Sequence, residues 1–334
     1  MKHLIKEGAP QYKANLHCHT TLSDGRLSPA EVKAAYKGAG YSIVAITDHE
    51  RLVSHHDLTD DAILFITAYE AYVRTLPYDF VTDAQSHINL YSKTPENKLL
   101  YFTPNLTRYT PREEWDTLPY HYRVEEREHT VEFMQKMIHD ARDCGYLVCH
   151  NHPTWSFEDE SMADAYAECF AMEIHNFSAY TEGHNEYNAH YYEKQLRLGR
   201  RMALIAADDN HNHRPFGDPK CDSFGGFTYI LADKLDYASV ITAMEEQRFY
   251  ASCGPRIFSL TVEDGTLTVK TSAAAEIFFI TNTRHRAVFR AAPGEAVTEG
   301  SFALGPKDEW VYVEVIDAAG KRAHSRAYFR DELT

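Results

Sequence analysis

The chain is short of the features that mark several large classes of protein. No apolar run approaches the 18 or so residues that a membrane-spanning helix needs, so no membrane partner is expected. The six cysteines show no CxxC spacing, which argues against both a disulfide framework and a thiolate zinc site. Residues 1–8 contain no signal-peptide apolar segment, so the expected compartment is the reducing cytoplasm. Positive charge is also scarce: Lys and Arg total 34 against 49 Asp and Glu, a net charge of −15. Sequence-independent nucleic-acid binding relies on basic surface, so nucleic acid is not an expected partner. A small polyanionic substrate stays open, because bound divalent cations reverse the local field.

What is present is an apolar fraction of 44%, enough for a sizeable core, and 19 histidines. From about residue 11 to 250, helical segments alternate with short apolar strands. Ser28-Pro29-Ala30-Glu31 reads as a capping box with proline in the first turn, opening a helix that ends near Gly38 or Gly40. Further helices are expected over about 125–143 and 185–198. Strands are expected at Tyr12–Leu16, Ile43–Ile46, Ile63–Ile66, Tyr146–Cys149, Ala171–Ile174 and Met202–Ala206. This alternation predicts a parallel sheet. Beyond Gly254-Pro255 the pattern changes to alternating strands at Ile257–Val262, Leu267–Thr271, Glu276–Ile280, Trp310–Val315 and Ala323–Phe329. The expectation is an α/β unit over 1–254, with an inserted loop at about 94–124, and a small antiparallel β domain over 255–334.

Potential metal ligands recur where these strands end. His17 and His19 follow the first strand, Asp48 and His49 the second and Glu70 the third. His87 lies in Ser86–Leu90, His150 and His152 follow Tyr146–Cys149, Glu173 lies in its own strand, and Asp208, Asp209 and His211 follow Met202–Ala206. Strand C-termini of a parallel sheet lie on one face, where active sites are built. Each residue alone has an ordinary reading: an N-cap for Asp48, a pairing with Arg74 for Glu70, a turn for Asp208-Asp209. Their shared position makes joint coincidence improbable. Imidazole and carboxylate without thiolate suit zinc, iron or manganese. Cys18 alternates away from His17 and His19 and is read as packing. His55, His56, His121, His129, His139, His184, His190, His285 and His324 are read as solvated or packing residues; His175 and His213 are left undecided.

At these positions the chain resembles the polymerase and histidinol phosphatase (PHP) family of metal-dependent phosphoesterases. The matches are Asn15-Leu16-His17-Cys18-His19-Thr20 with Ser23-Asp24-Gly25, Ile46-Thr47-Asp48-His49, Glu70, His87, His150-Asn151-His152-Pro153, Glu173 and Asp208-Asp209-Asn210-His211. The resemblance implies a distorted (β/α)7 barrel, and likens the C-terminal part to β-sandwich-like extensions. It also implies two or three divalent ions (Zn, Mn or Fe). One would be held by His17, His19, Glu70 and Asp209, a second by Glu70, His87 and His152, and a third by Asp24, His49 and His211. Catalysis would rest on Glu70, Asp209 and His211. Asp48, His150, Glu173 and Asp208 would orient the ligands. The expected reaction is hydrolysis of a phosphate mono- or diester of a small phosphorylated substrate by a metal-bound hydroxide. Arg108, Arg112, Arg123 and Arg214 are candidate substrate-binding residues. Two alternatives stand beside this reading: an amidohydrolase-like metal hydrolase acting on a non-phosphate bond, and a metal-stabilised binding protein.

Overall fold

The structure, a computed structural model, describes residues 1–97, 100–102, 108–115, 120–123 and 127–333. It is a mixed α/β protein with one large mixed sheet and a separate antiparallel sheet. Two runs of parallel strands carry the site. Tyr12–Asn15, Ile43–Ile46 and Leu64–Val73 form the first. Tyr146–His150, Ala171–Asn176 and Ala203–Ala207 form the second. Ile43–Ile46 and Ala203–Ala207 consist wholly of Val, Ile, Leu and Ala and are buried throughout, as strands covered on both faces are. The extension of the last strand returns to the first: Asp209 N donates to His17 O at 2.9 Å and His19 N to Asn210 O at 3.0 Å, with a parallel bridge between Cys18 and Asn210.

The all-parallel expectation is corrected. Ser86–Ser92 joins the two runs and is antiparallel to both neighbours. Residues 74–85 hold turns and no helix, so the chain doubles back, whereas a parallel partner would need a crossover connection, usually a helix. The third strand is also longer than its apolar run suggests. It spans Leu64–Val73, every residue of it buried, so Glu70 sits inside the strand. Phe227–Ile230 runs antiparallel to both Tyr12–Asn15 and Phe249–Ser252.

Helix starts follow their caps. Ser28 caps Pro29–Gly38 in a reciprocal capping box with Glu31. The long helix spans Val131–Asp143, because the Thr130 side chain accepts from Phe133 N and fixes the start there. The helix expected at 185–198 covers Ala189–Arg197. Two short strands, Leu100–Phe102 and Tyr120–Arg123, pair with each other in the segment read as a loop.

After Phe249–Ser252 the large sheet continues without a break, because that strand pairs with Arg322–Ser325, which pairs in turn with Trp310–Ile316. The separate sheet has the order Lys2–Ile5, Ile257–Glu263, Thr266–Ala274, Val297–Ala303. Its inner face and the facing strands of the large sheet share one core of Ile5, Leu260, Val269, Phe279, Phe302 and Val313. Inner and outer residues alternate along Ile257–Glu263 and Thr266–Ala274, as a sheet with one solvated face requires.

One backbone approach ties the fold to the site. A Cβ on Gly226 would lie 2.4 Å from the Ala207 carbonyl oxygen, and Gly226 N donates to Asp208 Oδ1 at 2.8 Å. Gly226→Ala is expected to destabilise the protein by about 1–3 kcal/mol, the usual cost of overpacking. Gly38→Ala, with open space around its new methyl, is expected to be neutral or slightly stabilising. Urea denaturation of the two variants checks this; equal effects would contradict the close approach.

Candidate metal centre

All nine side chains expected as ligands come together at one end of these strands. They fall into four groups whose ligand atoms lie within 4.8 Å of one another: His19, Asp24, His49 and His211; His17, His19 and Glu70; His17, His152 and Asp209; and His49, Glu70 and His87. This grouping differs in detail from the expected one, since His152 gathers with His17 and Asp209, and His87 with His49.

Glu70 is the hub. Its carboxylate, fully buried, lies 3.2 Å from His17 Nε2, 3.4 Å from His19 Nε2, 2.8 Å from His49 Nδ1, 3.0 Å from His87 Nδ1 and 3.4 Å from His152 Nε2. Asp209 Oδ1 stands 3.1 Å from His17 Nε2 and 3.0 Å from His19 Nε2. Asp24 faces the outer histidines, 3.6 Å from His49 Nε2 and 3.4 Å from His211 Nε2.

Tautomers are set from outside the cluster. His17 Nδ1 meets Glu173 Oε1 at 2.7 Å, and donation there turns the Nε2 lone pair inward. His211 Nδ1 donates to the Asp209 carbonyl at 2.9 Å, with the same result. His152 Nδ1 is 3.1 Å from Ser156 Oγ.

The donor atoms fit divalent ions. His17 Nε2, His19 Nε2, His49 Nδ1, Glu70 Oε2 and Asp209 Oδ1 are buried and make no hydrogen bond among the described residues. An unpaired buried polar group costs about 1–3 kcal/mol. Here all of them converge, so a cation among them satisfies them together. Without ions the cluster holds protons. Burial raises the pKa of Asp24, but His49, His19 and His211 outweigh it and bring it down to about 2. Burial likewise opposes charge on His49 and His152, yet their contacts with Glu70 and neighbouring carboxylates hold each at about 9. At His87 burial prevails over Glu70 and lowers it to about 4.

The four residues expected to orient ligands sit as follows. Asp48 accepts from Thr20 N, Thr20 Oγ1 and Ser23 Oγ at 2.6–2.7 Å, folding the loop that carries Asp24. A Cβ on Gly25 in that loop would lie 2.5 Å from His19 O. Glu173 holds His17, and it also accepts from His152 N at 3.0 Å. Asp208 points away and accepts from Phe224, Gly225 and Gly226 N; burial pushes it up to about 6 against these bonds. His150 turns away from the ligands to Glu158, 2.8 Å from its Nε2, and stacks on Tyr166.

Cys18 is buried in an apolar cluster. His213 lines the mouth of the cleft, and Arg26 Nε donates to its Nδ1 at 3.1 Å. His175 is half-buried, with Nδ1 on the Glu186 carbonyl.

Several supporting residues escaped the sequence reading. Asn151 donates to Glu70 Oε1 at 2.8 Å, and Asn176 donates to both Glu173 and Asp209. Asp222 accepts from the backbone of His211 and Asn212. Arg127, buried, forms a two-pronged pair with Glu50 next to His49 and also donates to Tyr72 O. Asn151 lies between two histidines already noted, so its position was a usable signal. The others follow no motif.

The cluster opens into a cleft of about 580 Å³ lined by Arg74, Arg108, Arg214 and Lys220 among others. Arg112 is exposed and lies 5.8 Å from the Trp115 ring, outside that lining. The Arg123 side chain lies outside the described residues.

No family model matches the chain, and no curated protein matches it. Among solved structures it is similar to a two-domain protein from Bacteroides vulgatus containing a predicted PHP-like metal-dependent phosphoesterase, with 16% identity over 98% of each chain and a TM-score of 0.48. It is also similar to a putative metal-dependent phosphoesterase from Bifidobacterium adolescentis, with 15% identity over 62% of this chain and 91% of that one and a TM-score of 0.40. An amidohydrolase from Chromobacterium violaceum matches with 15% identity over 62% of this chain and 93% of that one, at a TM-score of 0.41.

Two outcomes are expected. Metal ligation requires neutral imidazole, so loading at pH 7 should expel the protons on His49 and His152. Titration calorimetry in buffers of different ionisation enthalpy should therefore show net proton release, and affinity should fall as pH drops; a buffer-independent enthalpy would contradict this. Arg127→Ala leaves Glu50 buried and unpaired, which costs about 3–5 kcal/mol where such pairs are broken. Thermal melts should show a correspondingly large drop, and an unchanged melting temperature would contradict the assignment.

Proposed function

We propose that this protein is a PHP-like metal-dependent phosphoesterase that hydrolyses a phosphate mono- or diester of a small substrate. The observation that favours phosphate is the cationic lining of the cleft. Arg74, Arg108, Arg214 and Lys220 border the buried cluster, and none forms an ion pair with a described residue. In a chain of net charge −15, cations without an ion-pair partner among the described residues, gathered beside a metal-capable cluster, suit an anionic ligand.

The His, Asp and Glu side chains of the cluster would hold two or three divalent ions of zinc, manganese or iron type, which would supply Lewis acidity and lower the pKa of a bound water. Every other part belongs to the chain. Glu70, with an oxygen toward each side of the cluster, and Asp209 join the groups of ligands. Glu173 and Ser156 fix His17 and His152. Arg74, Arg108 and Arg214 orient the phosphate and neutralise its oxygens, stabilising charge that develops during displacement. The guanidinium of Arg74 is held between the rings of Tyr72 and Tyr78, at 5.0 and 4.6 Å, so little freedom is lost when it meets an anion. The catalytic strands are read as a distorted (β/α)7 barrel over 1–254, a closure supported by the backbone bonds of His19 and Asp209. No chemistry is assigned to 255–334. A reducing cytoplasmic setting fits the six unpaired cysteines.

Phosphate release from a broad panel of esters, with each metal and a chelated control, tests the reading. Turnover is expected only with metal. Glu70→Ala and Asp209→Ala should lose both bound metal and turnover, and Arg74→Ala should keep its metal while raising KM about tenfold, near the loss of one charge-assisted contact. A fully metallated, fully active Glu70→Ala protein would sink the site, and metal-loaded protein inert on every ester would sink the reaction.

A further inference from the structure

We propose that the C-terminal strands Trp310–Ile316 and Arg322–Ser325 are a working part of the metal centre, because through Tyr187 they hold the segment 186–188 that fixes the turn bearing His152. Tyr187 is a positioning residue, outside the residues that line the cleft. The inference rests on the metal-centre reading above and not on the choice of phosphate as substrate.

The turn after Tyr146–His150 needs support from outside itself. His152 and Phe157 both have positive φ, 23° and 54°. Non-glycine residues keep such a backbone only where their surroundings impose it. Glu173 supplies one hold by accepting from His152 N at 3.0 Å. The others come from the short segment between the helices Phe177–Thr181 and Ala189–Arg197. Glu186 accepts from Trp155 N at 2.8 Å, and Asn188 Oδ1 accepts from Thr154 Oγ1 at 2.7 Å. Both acceptors are buried. Asn188 also donates to Glu186 at 2.5 Å and to the Glu173 carbonyl at 3.2 Å.

Tyr187 lies between these two acceptors and faces the other way, as alternation along extended chain requires. Its hydroxyl meets two side chains of the C-terminal strands, Glu314 Oε1 at 3.1 Å and His324 Nε2 at 2.5 Å. Burial brings His324 down to about 4 despite Glu314, so the ring is neutral. Its Nδ1 is buried without a hydrogen-bond partner among the described residues, and a proton there would be left unpaired. The ring proton is therefore assigned to Nε2, which donates to the Tyr187 oxygen, while Tyr187 O–H donates to Glu314. Arg322 completes the set: it pairs with Glu314, and its guanidinium lies 4.5 Å from the centre of the Tyr187 ring. The ring packs on a core shared by Ile174 and Leu204 of the site strands and Ile280, Trp310 and Tyr312 of the C-terminal ones. One peptide unit separates Tyr187 from each acceptor, so the backbone carries any shift of the ring to both, and from them to the turn of His152.

Cobalt(II) titration followed by visible absorption, together with hydrogen–deuterium exchange of the full chain without metal, tests this. Tyr187→Phe keeps the ring and removes the hydroxyl. The backbone amides over 152–157 should then exchange about tenfold faster, and cobalt should bind about tenfold more weakly with altered absorption bands, near the lower end of what loss of an outer support of a metal ligand costs. His324→Leu leaves Tyr187 in place and removes its donor. It should move the same readouts in the same direction, which covers the case of an unfolded Tyr187→Phe. Phe302→Leu thins the core between the two C-terminal sheets, a change that lowers stability. It should lower the melting temperature and leave the exchange over 152–157 and the cobalt bands unchanged. Wild-type exchange and cobalt binding in both Tyr187→Phe and His324→Leu would overturn the role of Tyr187, and so would equal changes in Phe302→Leu. A wild type that takes up no cobalt would overturn the metal centre and this inference with it. The expected shifts in a protein inert on every ester would overturn the hydrolytic reading and support the role of Tyr187.

Discussion

The structure depends on a single buried carboxylate. Glu70 sits in the middle of a fully buried strand with five imidazoles around it. An isolated charge in that position would be prohibitively costly. Burial opposes the charge, and His87, His17 and His49 are the main groups that keep it ionised, far below the ordinary carboxylate range. The strands that deliver those histidines must therefore converge there, so the fold and the site are one solution to one electrostatic problem. The two parallel runs, and the antiparallel strand between them that brings His87, are the means by which distant segments reach that point.

Around the cluster stands a ring of acidic residues that serve the chain rather than a ligand. Asp48, Asp208 and Asp222 accept from the loop amides of Thr20, Phe224 and His211, and Glu50 accepts from Tyr72 N in the strand that carries Glu70. Glu173 does both jobs, since it accepts from His152 N and sets the His17 tautomer. A carboxylate satisfied by several amides fixes backbone conformation more firmly than apolar contact would, because hydrogen bonds are directional. Asp209 itself has a positive φ of 54°; its N–H to His17 O and the Asn176 amide on Oδ2 hold it there.

The ligand-bearing segments could be found in the sequence because two signals coincide in them: an apolar run and a polar metal-binding residue at its end. That is why His17, His19, His49, His152 and Asp209 stood out, and the structure gathers these same residues. Strand direction was not legible, because Ser86–Ser92 reads identically whether parallel or antiparallel, and only the turn-bearing linker at 74–85 distinguishes the cases. Leu64–Val73 was truncated in the reading because Thr67, Tyr69 and Glu70 interrupt the aliphatic run although the strand continues. Arg127, Asn176 and Asp222 act through contacts 77, 33 and 11 residues away, so no local pattern announces them. The C-terminal strands were visible through their alternation. The partnership of Lys2–Ile5 with Ile257–Glu263 was not, since a short edge strand carries almost no periodicity.

That last pairing bears on how the chain acquires its structure. The strand Lys2–Ile5 emerges from the ribosome some 250 residues before the strand it pairs with, an interval fixed by the register Lys2 to Val262. Synthesis proceeds at about 5–20 residues per second, so for many seconds Lys2–Ile5 has exposed edge groups and no native partner. Contacts this distant in sequence form late and slow folding. During that interval the nascent chain offers an open β-edge to its neighbours, and protection by chaperones should matter most before Ile257–Glu263 has been made.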